Sequence, residues 1–249
     1  MTAPYPIIQV RPEDVEDAEQ MGTKPKFWFR RERERWLFKE PRVNTGEHWA
    51  EKVAAEIGHL LGVSCARVEL ADYHGKRGSA SLSFADRSEG KFLVHGNEML
   101  AAIVTGYDKD KMHKQCEHTW EHILTVFAHL KSLKHLDRSS EIDMAGYVFL
   151  DALIGNVDRH HQNWGCLFQM LPEGTSLLTI APSFDHASSL GRELLPEEAE
   201  RRIAGKRVAD YVEKGRGGIY RAATDKRGAN PLVLACENGQ TCSRPGWSV

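Results

Sequence analysis

The spacing of apolar residues predicts a strand-rich first part of the chain. Alternating aromatic residues predict two strands joined by a charged turn at Arg30–Arg35. Those aromatic residues are Phe27, Phe29, Trp36 and Phe38. The segments ARVELAD and SASLSF predict two more strands, with a Gly-containing turn at 74–78. The first hundred residues therefore indicate a small antiparallel sheet.

One helix is predicted inside this sheet region, over the segment GEHWAEKVAAEIGHLLGV. Trp49, Val53, Ile57 and Leu60 recur at helical spacing, so we expect them to line its buried face. Gly62 is expected to end the helix. The acidic, Pro-containing stretch 1–20 before the sheet is expected to pack loosely.

The second part of the chain has mainly helical spacing. The segment TWEHILTVFAHLKSLKHL carries one apolar stripe, and EIDMAGYVFLDALIG predicts a buried helix. The residues of the stripe are Trp120, Ile123, Leu124, Phe127, Leu130 and Leu133. GCLFQM and SLLTIAP predict a hairpin around 171–174. The polar, Gly-rich stretch from Thr224 onward shows no clear pattern.

Length, net charge, apolar stretches and cysteine content together exclude several classes of protein. A length of 249 residues fits one two-lobed domain or two small domains. The net charge of −2 argues against direct nucleic-acid binding. The longest apolar stretch, Tyr147–Ile154, is interrupted by Asp151 and is too short to span a membrane. Five cysteines without a C-x-x-C pair, and no signal peptide, predict reduced thiols and a cytoplasmic location.

The strongest chemical signal is GNVDRHHQNWG, directly after the buried helix. Asp158 and Asn163 are five residues apart, which suits a loop that presents a catalytic carboxylate and a metal ligand. Asp185 follows the predicted hairpin and is a second candidate ligand. Lys39 lies among apolar strand residues and needs an anionic partner. Glu51 on the next helix is a candidate, and Glu47 and Glu56 on the same helix are alternatives. A strand lysine, a helix glutamate, a loop with aspartate and asparagine, and a later aspartate follow one another in this order in kinases.

These segments resemble HipA-like serine/threonine kinases, which are related in fold to phosphoinositide 3/4-kinases. LIGNVDRHHQNWG and APSFDHASSLG carry the resemblance most specifically, and WLFKEP and LVHGNEML add to it. It implies an α+β, two-lobed protein-kinase-like fold, with a small antiparallel-sheet N-lobe at 21–98 and a mainly helical C-lobe at 99–223. The stretches 1–20 and 224–249 are then a leader and an atypical tail. The resemblance does not extend to the N-terminal subdomain of larger HipA proteins, and we expect no counterpart of it in these residues.

The resemblance also implies cofactors and partners. ATP with Mg²⁺ is expected between the lobes, near residues 84–98. The acceptor would be a protein or small-molecule hydroxyl, and an antitoxin is an implied partner, without any membrane association.

Roles follow for single residues. Asp158 would be the catalytic carboxylate, and His160 would orient it. Asn163 and Asp185 would be the metal ligands. In the nucleotide site, Lys39 would contact phosphate and pair with Glu51, while Gly22 and Thr23 would belong to the phosphate loop in MGTKPK, which lacks a GxGxxG pattern.

Other functions stay open at this point. A phosphoinositide or small-molecule kinase uses the same residues. A pseudokinase that only binds partners would fit the unusual tail. His160, His161 and His186 beside two aspartates admit a metal-dependent hydrolase, although no H-x-H or H-E-x-x-H spacing is present.

Overall fold

A computed structural model describes residues 5–18, 25–132, 140–171 and 176–238. The chain forms two compact units, residues 1–84 with 184–207, and residues 85–183 with 208–249. Residues 184–207, which the sequence assigned to the C-lobe, therefore group with the first unit. Strands and helices are both present in each unit, and the predicted α+β class is confirmed.

The first unit is built on a six-stranded sheet with the order β1-β5-β6-β4-β3-β2. Its strands are β1 (Ile7–Gln9), β2 (Val15–Ala18), β3 (Lys26–Arg31), β4 (Glu34–Lys39), β5 (Val68–Tyr73) and β6 (Lys76–Leu82). All neighbouring strands are antiparallel except β1 and β5. The four strands predicted from the sequence are β3, β4, β5 and β6. Two helices complete the unit, α1 (Glu47–Leu60) and α5 (Pro196–Ala204).

The two hairpins of this sheet turn more tightly than the sequence predicted. Glu32 and Arg33 connect β3 to β4 with φ of 49° and 70°. His74 and Gly75 connect β5 to β6 with φ of 53° and 77°. Two consecutive residues with positive φ match the right-handed twist of paired strands, so two residues are enough for each turn.

The stretch before the sheet was expected to pack loosely, and this expectation is wrong for its described part. Residues 7–9 pair in parallel with β5, and Ile8 and Val10 are buried in the sheet's apolar core. Their burial is the physical reason, because a β strand that inserts alternate apolar side chains into a core gains the hydrophobic free energy that a loose leader lacks.

Helix α1 forms as predicted but buries a different face. Trp49, Val53 and Leu60 are exposed, and the helix packs on β5 and β6 through small residues. The buried small residues are Ala50, Ala54, Ala55 and Gly58. Small side chains allow the helix backbone to approach the sheet closely, and this contact outweighed the larger apolar stripe.

The second unit combines helices with a three-stranded antiparallel sheet, ordered β7-β8-β9. Its strands are β7 (Lys91–His95), β8 (Gly165–Met170) and β9 (Ser176–Ile180), and its helices are α2 (Gly96–Ile103), α3 (Trp120–Ser132), α4 (Ser140–Ile154), α6 (Val208–Lys214) and α7 (Pro231–Asn238). The predicted β8–β9 hairpin and the buried helix α4 are confirmed. Strand β7 was not predicted.

The stretch from Thr224 onward showed no clear pattern in the sequence, yet part of it forms helix α7. Asn230 caps α7, because its side-chain oxygen accepts hydrogen bonds from the backbone N–H groups of Leu232 (2.9 Å) and Val233 (3.3 Å). Pro231 occupies the first helical position, where a missing N–H costs nothing. Leu234 is buried, and α7 packs on α4.

Across the described ranges, no helix is both long and apolar enough to cross a membrane.

Candidate active site

The first unit holds an ion pair between Lys39 and Asp185. Lys39 is the last residue of β4, and its Nζ lies 3.1 Å from Oδ1 of Asp185. The Lys39 side chain is only 16% exposed. Asp185 has a φ of 60°, a left-handed conformation that non-glycine residues seldom adopt and that often marks a functional position.

Several carboxylates set the charge state of Lys39. Burial by itself would lower the pKa of the Lys39 ammonium, but the negative charges of Asp185, Glu51 and Glu47 outweigh burial and raise it. Lys39 is therefore charged at neutral pH.

Glu51 was predicted to pair with Lys39. It is buried on α1, and its Oε1 accepts a hydrogen bond of 2.9 Å from the backbone N–H of His186. Glu51 thus acts on Lys39 through its charge and holds the backbone beside Asp185, which is the residue in hydrogen-bond contact with Lys39.

The second unit holds the loop that follows α4. Asp158 has an exposed side chain, and its backbone N–H donates to the side-chain oxygen of Asn156 at 3.1 Å. Asn163 is buried, and its Nδ2 donates to the backbone carbonyl of Asp158 at 2.7 Å. Its backbone N–H donates to the carbonyl of His160 at 2.9 Å. The loop therefore brings Asp158, His160 and Asn163 together.

The hydrogen bond of Asn163 also fixes which way its amide points. A carbonyl can only accept, so the atom that faces the Asp158 carbonyl must be the amide nitrogen. The amide oxygen of Asn163 is then left as a hard oxygen donor. Amide and carboxylate oxygens are the donor type that Mg²⁺ prefers, so Asn163 in the second unit and Asp185 in the first each have chemistry that suits the predicted metal.

Sequence reasoning missed the residues that hold this loop. Asp151 on α4 is 3% exposed, and Arg159 is 2% exposed. Arg159 binds Asp151 through two hydrogen bonds of 2.8 Å each, and Asn156 donates a third to Asp151 at 2.8 Å. The available signal was Asp151 itself, since a carboxylate inside an apolar helix requires a buried partner.

The histidines near the loop have separate hydrogen-bond partners. Nδ1 of His160 accepts from the backbone N–H of Gln162 at 3.2 Å. Nδ1 of His161 lies 2.8 Å from the hydroxyl of Tyr107, and burial lowers the pKa of His161 to about 4. The role of His160 in orienting Asp158 stays a prediction.

A further histidine, His118, is buried beneath the loop. It accepts from Trp164 Nε1 at 3.0 Å, and its Nδ1 lies 2.8 Å from the carbonyl of Gly218. A carbonyl must receive a donor and an indole N–H must reach an acceptor, so the ring is neutral with its proton on Nδ1. Burial agrees with this, because it lowers the pKa of His118 to about 3.

The predicted phosphate-loop residues Gly22 and Thr23 lie outside the described residues. Among the described residues, no group of three His, Cys, Asp or Glu side chains is arranged to hold a metal ion, so the histidine-based hydrolase gains no support.

Comparison with known proteins identifies the fold and the family of the chain. The crystal structure of a proinflammatory kinase, CtkA, from Helicobacter pylori is similar with a TM-score of 0.71 and 19% sequence identity, over 92% of this chain and 81% of that one. No curated protein has a similar sequence. The family model described as the HipA-like C-terminal domain matches residues 19–227. The fold is thus that of a kinase, and the chain belongs to the HipA-like C-terminal domain family.

Proposed function

We propose that this chain is an ATP- and magnesium-dependent kinase that transfers the γ-phosphate to a Ser or Thr hydroxyl. The observation that carries the proposal is the buried, charged Lys39 at 3.1 Å from Asp185. A strand lysine paired with a late aspartate is the arrangement expected of a phosphate contact beside a metal ligand. Membership in the HipA-like family supports the same activity.

Each residue has one task in this proposal. The exposed carboxylate of Asp158 orients the acceptor hydroxyl and receives its proton. Lys39 offsets the negative charge of the transferred phosphate. Asn163 and Asp185 would each offer an oxygen ligand to Mg²⁺, and the metal bound with ATP would neutralise phosphate charge and position the γ-phosphoryl group. Catalysis of this kind depends mainly on positioning and charge, and little on covalent chemistry by the protein.

The test compares wild-type protein with Asp158→Asn. Radiolabelled phosphate transfer from Mg-ATP to protein, peptide and phosphoinositide acceptors should fall by at least about a hundredfold, within the usual range for a lost general base. The thermal stabilisation by Mg-ATP should stay the same, because Asp158 contacts the acceptor. Asp110→Asn is the matched control, since Asp110 is another exposed aspartate of the same unit.

The outcomes separate the alternatives. Transfer by Asp158→Asn at the wild-type rate contradicts the assignment of Asp158. A wild type that binds Mg-ATP but phosphorylates none of these acceptors is a pseudokinase, and a wild type that does not bind Mg-ATP refutes the proposal. Transfer to lipid but to no peptide would make it a phosphoinositide kinase.

A further inference from the structure

A single buried guanidinium joins three segments of the second unit. Besides its two hydrogen bonds to Asp151, Arg159 donates from Nη1 to the backbone carbonyl of Asn163 at 2.7 Å. It also donates from Nη2 to the hydroxyl of Ser183 at 2.9 Å. Arg159 thus connects helix α4, the end of the loop at Asn163, and Ser183, which precedes Asp185 by two residues in the sequence.

Stability alone is a weak explanation for this arrangement. Desolvating an arginine and an aspartate costs several kcal/mol per ion, and apolar replacements of a buried ion pair are often as stable. Apolar side chains pack without strict direction, whereas the planar guanidinium donates along fixed directions. The hydrogen bonds of Arg159 therefore serve mainly to fix the positions of the three segments relative to one another.

We propose that Arg159, held by Asp151, is a positioning residue that fixes the catalytic loop and the segment at Ser183 for phosphoryl transfer. This inference rests on the proposed kinase function and adds residues that do not touch the substrate. It predicts that a change at position 159 that keeps the positive charge but removes the directed hydrogen bonds of the guanidinium lowers the catalytic rate more than it lowers nucleotide affinity. A displacement of about 1 Å in a catalytic group is enough to reduce a rate about a hundredfold.

Two variants perturb the network to different degrees. Arg159→Lys keeps the positive charge but cannot form the two-pronged contact to Asp151 together with the bonds to Asn163 and Ser183. Ser183→Ala removes one acceptor and leaves the Arg159–Asp151 pair intact, so it is the milder change and tests the proposal if Arg159→Lys does not fold. Glu141→Gln is the control, because it removes a carboxylate of the same helix that pairs with Lys131 on α3.

Steady-state kinetics with Mg-ATP is the first measurement. We expect kcat to fall by at least about tenfold in Arg159→Lys and about threefold in Ser183→Ala, with the KM for ATP within about twofold of wild type. Glu141→Gln should keep the wild-type kcat. Folded variants with unchanged kcat, or an equal loss of kcat in the control at equal thermal stability, would overturn the proposal.

Amide hydrogen exchange provides a readout that does not need enzyme activity. Protection of the amides at 156–163 should decrease in both variants, while α3 and the six-stranded sheet keep their protection. Unchanged protection of 156–163 would also overturn the positioning role. If the wild type transfers no phosphate while the loop still loses protection, the kinase proposal fails and the structural role of Arg159 stands.

Discussion

The ion pair between Lys39 and Asp185 gives the sharpest quantitative test of the candidate site. A double-mutant cycle with Lys39→Met and Asp185→Asn isolates the energy of this one contact. Methionine retains the length of the lysine side chain without its charge. Asparagine suits position 185, because it tolerates the φ of 60° better than most residues do. Neither change therefore needs a new backbone conformation.

The expected coupling energy follows from distance and burial. Two charges 3.1 Å apart attract by about 5 kcal/mol at an effective dielectric constant of about 20. Most of this is offset by the cost of removing Lys39 from water, and the charges of Glu51 and Glu47 still act on Lys39 when Asp185 is replaced. We therefore expect a net coupling of about 1–3 kcal/mol.

An exposed pair in the same unit is the control. Lys76 and Glu40 lie 3.2 Å apart, nearly the same distance, but the Lys76 side chain is 62% exposed. Its coupling should be about 0–1 kcal/mol. The two pairs differ mainly at the lysine, which is 16% exposed in Lys39 and 62% exposed in Lys76, so the comparison tests the environment of Lys39 and not merely its distance to a carboxylate.

The assay is urea unfolding of the four proteins of each cycle at pH 7 and pH 9. A raised pKa means that the stability contributed by the Lys39 charge is fully present below its unfolded pKa of about 10.4 and is lost only above that. The coupling should hence be the same at both pH values. A coupling no larger than that of Lys76 and Glu40 would refute the reasoning.

Two further predictions concern the second unit. Burial lowers the pKa of His118 to about 3 and that of His161 to about 4, so the unfolded chain binds more protons than the folded one below about pH 6.5. The free energy of unfolding should therefore fall between pH 6.5 and pH 5, by up to about 1.4 kcal/mol per pH unit for each ring, and a constant urea midpoint would contradict this. A Cβ at Gly218 would lie 2.7 Å from backbone atoms of Arg159 and His160 in the loop after α4, so Gly218→Ala should destabilise by about 1–3 kcal/mol in thermal melts. Gly217→Ala, with its nearest atom at 3.3 Å, should cost clearly less, and equal losses would count against the close contact.

The strands of the first unit and the candidate site residues were the features most easily found in the sequence. Alternation of aromatic residues specified β3 and β4 because strand side chains point to opposite faces in turn. Lys39, Asp158 and Asn163 were candidates because an ionic or amide side chain beside apolar segments needs a polar partner or ligand, and their roles stay predictions. Strand β7 was missed because KFLVH is short and its pairing with β8 is distant in sequence.

The buried face of α1 shows a limit of sequence patterns. A stripe containing Trp49 and Val53 predicts burial more strongly than a stripe of Ala and Gly, yet the helix packs through the small residues. Lys52 is buried on the same side, where it pairs with Glu56 at 2.7 Å and Glu69 at 2.9 Å. Such a face depends on partners from other segments, which local periodicity does not contain.

The two groups of candidate residues are prepared for their tasks in different ways. In the first unit, the ammonium of Lys39 lies beside the carboxylate of Asp185, which on the proposed function places a phosphate contact next to a metal ligand. In the second unit, Asp158 is exposed to solvent, while Arg159 and Asp151 hold the backbone of its loop in a buried network. On the proposed function, the acceptor substrate must be able to reach the carboxylate. The carboxylate must also be held in place, because the rate depends on its position relative to the reacting groups. An exposed residue on a buried support meets both requirements, and for this reason the conservative Arg159→Lys change should reveal more about the chemistry than the deletion of any exposed neighbour.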